Sequence, residues 1–160
     1  MSSPEAVAAP SDAALMTRAL GLARRAGWRG EVPVGSVAVL GGTVIAAASN
    51  RMERAGDGAA HAEMLVLRRA AAVVGNWRLH GVTVVVTLEP CPMCAGAMVQ
   101  ARIDRCVYGA RDPKKGADGS AYDVLRNPVN NHRIAVVEGV LGEACGQILT
   151  DFFRAKRAPR

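Results

Sequence analysis

Apolar and polar positions follow two different periods along this chain, and the switches between them mark the elements. Leu15, Ala19, Leu22 and Ala26 share one face of a helix predicted over 12–27, with Asp12 placed to cap it. Residues 34–40 and 43–48 are apolar runs separated by Gly41-Gly42. Both glycines can take positive φ, so the pair predicts a hairpin. Residues 50–60, with Gly56, Asp57 and Gly58, read as a loop, and a helical pattern follows over 61–74. The run VTVVVTL at 82–88 is almost wholly β-branched, which predicts a central strand buried on both faces. Pro90 is placed to open a helix over 91–101. Short strands are expected at 105–108 and 134–137, a polar, glycine-bearing, basic loop at 111–121, and a last helix over 143–156.

A helix, a hairpin and then strands alternating with helices predict an α/β fold. The expected form is a three-layer α/β/α sandwich around one mixed sheet of about five strands. The length of 160 residues suits one domain over 1–160, with 1–10 as a loose tail of small residues and two prolines. Half the residues are apolar but only 4% are aromatic, so the core must be built from Ala, Val, Leu and Ile. That apolar content excludes a disordered chain.

Charge and cysteine usage narrow the partners. Twenty basic residues against fourteen acidic ones give a net charge of +6. This balance favours a polyanionic partner, nucleic acid above all, although many small basic proteins bind none. No stretch approaches the roughly 18 apolar residues of a membrane span, and the start of the chain lacks the pattern of a secretory leader. The expectation is a cytoplasmic protein with no membrane partner. Four cysteines in a chain of this length do not make a disulfide framework, so Cys91-x-x-Cys94 points to metal or redox chemistry.

Two motifs carry that chemistry: His61-Ala62-Glu63 and Pro90-Cys91-Pro92-Met93-Cys94. Together they form the recorded signature of zinc deaminases that act on nucleobases. Cys91 and Cys94, at i and i+3, can present both sulfurs to one ion, and the start of a helix favours thiolates. With His61 they make three ligands, which leaves the fourth position of a tetrahedral zinc open for water. His61 and Glu63, at i and i+2, can serve one site only if it lies beyond the helix end, so two helix starts should converge on the metal. Glu63 is then close to the metal without ligating it, as suits a general acid/base. A Cys-x-x-Cys pair can instead be a redox pair or half of a structural zinc site. The thioredoxin-like pattern is missing, however, and Cys106 and Cys145 fall in apolar surroundings as buried thiols.

The chain resembles the bacterial tRNA-specific adenosine deaminase (TadA) family within the cytidine deaminase superfamily. The similarity runs from about residue 12 to residue 157. It lies in EVPVG at 31–35, Asn50-Arg51, AHAE at 60–63, TLEPCPMCAGAM at 87–98, GARD at 109–112, Asn131-His132-Arg133 and DFFR at 151–154. The resemblance implies conversion of adenosine to inosine at the wobble position of a tRNA, chiefly an arginine tRNA with anticodon ACG. It also implies one Zn2+ per subunit and a homodimer whose active sites draw on both chains. By position, Asn50 matches the residue that hydrogen-bonds the flipped base, and Ala62 belongs to the substrate-binding motif. Asp112, Lys114, His132, Phe153 and Arg154 fall in regions that contact the anticodon loop. One departure is Gly58-Ala59-Ala60 where the family has Pro-Thr-Ala, which would loosen that loop.

Plainer roles stand beside these. Asn50 can cap a turn, the charges of Arg111, Lys114 and Lys115 can be a solvated face, and one of Phe152 and Phe153 should pack the last helix on the core. Two other functions fit the motifs. One is a deaminase of free cytidine or guanine. The other is a non-enzymatic, zinc-stabilised RNA-binding module, against which Glu63 argues because a structural site needs no proton shuttle.

Overall fold

The computed structural model describes residues 8–158, so most of the expected N-terminal tail, and Arg160 of the basic C-terminus, lie outside the described residues. The chain forms α1 (Asp12–Trp28), β1 (Gly35–Leu40), β2 (Thr43–Ser49), α2 (Met52–Ala55) and α3 (Ala62–Val74). It continues through β3 (Thr83–Leu88), α4 (Pro92–Gln100), β4 (Arg105–Ala110), β5 (Ala135–Val137) and α5 (Gly142–Arg157). The strands make one sheet in the order β2-β1-β3-β4-β5. Strand β1 is antiparallel to both its neighbours, while β3, β4 and β5 pair in parallel. All strands but β1 therefore point the same way, and their C-terminal ends share one edge of the sheet. The predicted hairpin forms with Gly41 at φ 58° and Gly42 at φ 78°.

Period-two alternation divides the core between the two faces of the sheet. Val37, Val39, Val85 and Val107 meet Leu15, Met16, Ala19 and Leu20 of α1 and Cys145 of α5. On the other face Ala38, Val84, Val86 and Tyr108 meet Val66, Leu67 and Ala70 of α3 and Ala95, Met98 and Val99 of α4. This is the expected three-layer arrangement. Val84, Val85 and Val86 are all fully buried, as expected of a strand covered on both faces. Each such valine contributes about 1.5–3 kcal/mol of burial. Small residues allow the layers to approach closely: a Cβ on Gly35 would lie 2.0 Å from the Ala19 carbonyl oxygen. Any side chain there would force α1 off the sheet. Cys106 and Cys145 are buried thiols, as expected. No helix among the described residues is long and apolar enough to cross a membrane.

Three local expectations are corrected. Ser11, not Asp12, caps α1, its hydroxyl accepting from the Ala14 N–H at 3.1 Å. Asp12 instead forms a two-bonded ion pair with Arg105 of β4. Helix α4 begins at Pro92 with Cys91 as its N-cap, so Pro92 rather than Pro90 supplies the proline of the first turn. The stretch 50–60 is not all loop, because Met52–Ala55 makes one helical turn closed by Gly56 at φ 59°.

Candidate active site

Two helix starts meet at the shared strand edge. His61 is the N-cap of α3 and Cys91 the N-cap of α4, both with extended backbone and neither using its side chain to cap its own helix. Both side chains are therefore free to face one another. The Nδ1 of His61 lies 3.5 Å from the Cys91 sulfur and 3.4 Å from the Cys94 sulfur. The ligand atoms of His61, Cys91 and Cys94 all lie within 4.8 Å of one another.

This donor set fits zinc. A tetrahedral ion about 2.3 Å from sulfur and about 2.0 Å from nitrogen would hold nitrogen and sulfur about 3.5 Å apart, as the His61 Nδ1 stands from both sulfurs here. Three protein ligands of this kind leave a fourth position open. The hydrogen bond from Cys94 holds the Cys91 thiol down to about 4, against the effect of burial and with His61 adding to it. The same interaction, followed by burial, pushes the Cys94 thiol up. The bond to Cys91 raises His61. A thiolate beside an imidazole donor is the ligand chemistry a soft divalent cation needs.

Glu63, in the first turn of α3, is 4% exposed and stands beside this group without belonging to it. Burial pushes its carboxyl up to about 7. A carboxyl that both holds and releases a proton near neutrality suits proton transfer. Asn50, buried at the end of β2, accepts a hydrogen bond from the Ala62 N–H through its side-chain oxygen at 2.8 Å. That bond satisfies one of the free donors of the α3 start and fixes the turn that carries Glu63. The geometry fits a metal ion held by His61, Cys91 and Cys94, with a buried carboxyl beside it.

Residues 10–157 match the family model described as MafB19-like deaminase. A tRNA-specific adenosine deaminase of Bacillus subtilis (strain 168) is 48% identical over 146 residues, covering 91% of each chain. One from Agrobacterium fabrum (strain C58) is 47% identical over 142 residues, covering 89% of this chain and 93% of its own. This chain belongs to the tRNA-specific adenosine deaminase family. A solved structure from work on A-to-I editing by tRNA:A34 deaminases superposes with a TM-score of 0.81 at 46% identity, over 84% of this chain and 98% of that one. A guanine deaminase from Nitrosomonas europaea shares the fold at 26% identity and a TM-score of 0.73, over 94% of this chain and 87% of that one.

Of the residues that the resemblance places at the substrate, some surround the site and others do not. The loop 111–120 hangs beside it: the Ala117 N–H donates to the Pro90 carbonyl at 2.8 Å, and the charge of Lys115 acts on His61. Lys114 is exposed on that loop. The Asp112 carboxylate is occupied within the loop, accepting from the N–H groups of Lys114 and Lys115. Ala62 is fully buried, and its N–H is taken by Asn50. His132 lies at the opposite edge of the sheet, where its Nε2 donates to the Ile103 carbonyl at 2.6 Å, just before β4. On α5, Phe152 is half-buried against Gly27 of α1, while Phe153 and Arg154 are exposed. One phenylalanine packs and the other is left free, as expected.

Gly58-Ala59-Ala60 lies in a hydrogen-bonded turn. The Asp57 side chain accepts from the Ala59 N–H at 2.9 Å, and the Arg51 N–H donates to the Ala60 carbonyl at 3.0 Å.

Among the buried carboxylates that sequence reasoning missed, two anchor a neighbouring segment through its backbone N–H groups. Glu89 accepts from the N–H groups of Asp112, Asp118 and Ser120, so one side chain shapes the whole 112–120 loop. Glu31 accepts from the N–H groups of Glu53 and Arg54 and so anchors α2. The signal that could have found them was a charge at the end of a buried β-branched strand, Glu89, and another opening the apolar run before β1, Glu31.

Proposed function

We propose that this protein hydrolyses adenosine to inosine at the wobble position of a tRNA, releasing ammonia, with zinc held by His61, Cys91 and Cys94. The carrying observation is the buried Glu63 carboxyl, raised to about 7, beside a three-ligand set that fits a catalytic zinc. The substrate assignment is supported by the family's 47–48% identity to tRNA-specific enzymes, against 26% to the guanine deaminase.

Zinc in this site supplies Lewis acidity, which makes water a nucleophile near neutral pH. Glu63 takes the proton of the attacking water and delivers it to N1 of the adenine. It then takes the proton of the new C6 hydroxyl and gives it to the amine leaving C6, as the C6 carbonyl forms. Water adds at C6 and ammonia departs, so inosine and ammonia balance adenosine and water. Asn50 holds the α3 turn and offers its amide N–H group to the base. A base flipped from a single-stranded loop costs about a few kcal/mol, least where it is already unpaired. Lys114, Phe153 and Arg154 are exposed and suited to an anticodon loop by charge and stacking.

An arginine tRNA with anticodon ACG is the substrate the resemblance favours. The enzyme acts on it in the cytoplasm, as a homodimer with one zinc per subunit. The test is inosine formation in an ACG anticodon stem-loop, with the oligomeric state read by light scattering.

A further inference from the structure

A cavity of about 290 Å³ opens beside β2, at the outer edge of the sheet. Arg29 at the end of α1, Arg51 and Arg54 at α2, and Arg69 from α3 line it. The acidic residue in its wall is Glu31, whose carboxylate is already taken by the N–H groups of Glu53 and Arg54. Elsewhere the arginines near carboxylates are paired, as in Arg105–Asp12, Arg111–Glu138 and Arg126–Asp118. Among the described residues none of the four cavity arginines has such a partner.

Four positive charges face one buried carboxylate here, and the excess of positive charge favours an added anion. Guanidinium forks match phosphate in geometry and bind it through paired hydrogen bonds. The cavity also adjoins the catalytic centre, because Asn50 forms part of its wall and bonds the Ala62 N–H between His61 and Glu63. The cavity wall is thereby linked to that centre through one residue, Asn50. We propose that this cavity binds a backbone phosphate of the RNA substrate flanking the target nucleotide. The assignment rests on the proposed RNA substrate and adds a site distinct from the 111–120 loop and α5.

The test compares zinc-loaded full-length wild type, the double variant Arg29→Gln/Arg54→Gln and the single variant Arg54→Lys. Affinity for the anticodon stem-loop is measured at several salt concentrations, with zinc content and thermal unfolding checked on each. Removing one cation that neutralises a phosphate should reduce the slope of log K against log salt by about 0.7. The double variant should bind several-fold more weakly at low salt with a shallower slope, and Arg54→Lys should keep the wild-type slope. A wild type that makes inosine while the double variant matches it in affinity and slope would overturn the site and leave the proposed function standing. A wild type that makes no inosine would overturn the function, and this assignment with it. Inorganic phosphate is titrated at constant ionic strength as a separate arm. Saturable phosphate binding that the double variant loses, with its RNA slope unchanged, would make this a free-phosphate site and overturn the RNA assignment.

Discussion

The side-chain oxygen of Asn50 and the backbone N–H of Ala62 are joined by a buried 2.8 Å hydrogen bond. It ties the end of β2 to the first turn of α3, and so sets where His61 and Glu63 stand relative to the cysteines of α4.

Asn50→Ala should leave that N–H unsatisfied, costing about 1–3 kcal/mol of stability, and should lower deamination at least about tenfold while zinc stays bound. Asn50→Asp keeps the acceptor but loses the amide donor. It should recover thermal stability without recovering activity. Recovery of both would remove Asn50 from base binding and leave it only the anchoring role.

Metal and activity should separate cleanly between two variants. Cys91→Ala removes one of three ligands and should lose zinc and thermal stability together. Glu63→Gln should keep one zinc per chain by elemental analysis and lose roughly 10²–10⁴-fold in rate. Turnover by zinc-replete Glu63→Gln protein would end the proton-transfer role.

Glu63 should also leave a signature in the stability of the metal-free protein. Its carboxyl rises from 4.5 in the unfolded chain to about 7 when buried. Between those values the folded state keeps a proton that the unfolded chain has released. Stability from this group therefore falls as pH rises through that window, and the loss is complete above about 7. The slope approaches about 1.4 kcal/mol per pH unit. Urea unfolding of metal-free wild type and Glu63→Gln should show the variant gaining on wild type from acid to neutral pH. A constant difference would contradict the shift.

The periodic elements were legible because each follows from a local pattern: the 3.6-residue face of α1, the double glycine of the hairpin, the β-branched run of β3. The convergence of His61, Cys91 and Cys94, with Glu63 beside them, was legible because their spacing is set by the two helix starts themselves. What escaped was settled by distant contacts. Ser11 and Asp12 are both good caps, and Arg105 on β4 draws Asp12 away. Pro90 and Pro92 both suit a helix start, but the Glu89 N–H donates to the Ala110 carbonyl and keeps the chain extended past Glu89. His132 lies near the end of a long loop, whose sequence does not reveal that it has crossed to the other edge of the sheet.

Glu89 holds the loop beside the site, and a Cβ on Gly116 would lie 2.3–2.5 Å from its carboxylate atoms. Glu89→Gln replaces one acceptor with a donor facing donors, and Gly116→Ala drives the loop off the carboxylate. Both should raise KM for a stem-loop more than they lower kcat, with zinc content unchanged. An equal fall in kcat with KM unchanged would move Glu89 from loop positioning to the chemistry itself.

The central claim is tested most directly by inosine formation in a synthetic ACG anticodon stem-loop. Free adenosine, cytidine and guanine are assayed beside it, and Glu63→Ala is the control. The account predicts inosine at the first anticodon position alone, lost in the variant. Deamination of a free base or nucleoside with the stem-loop untouched would contradict it, keeping the metal chemistry and overturning the substrate.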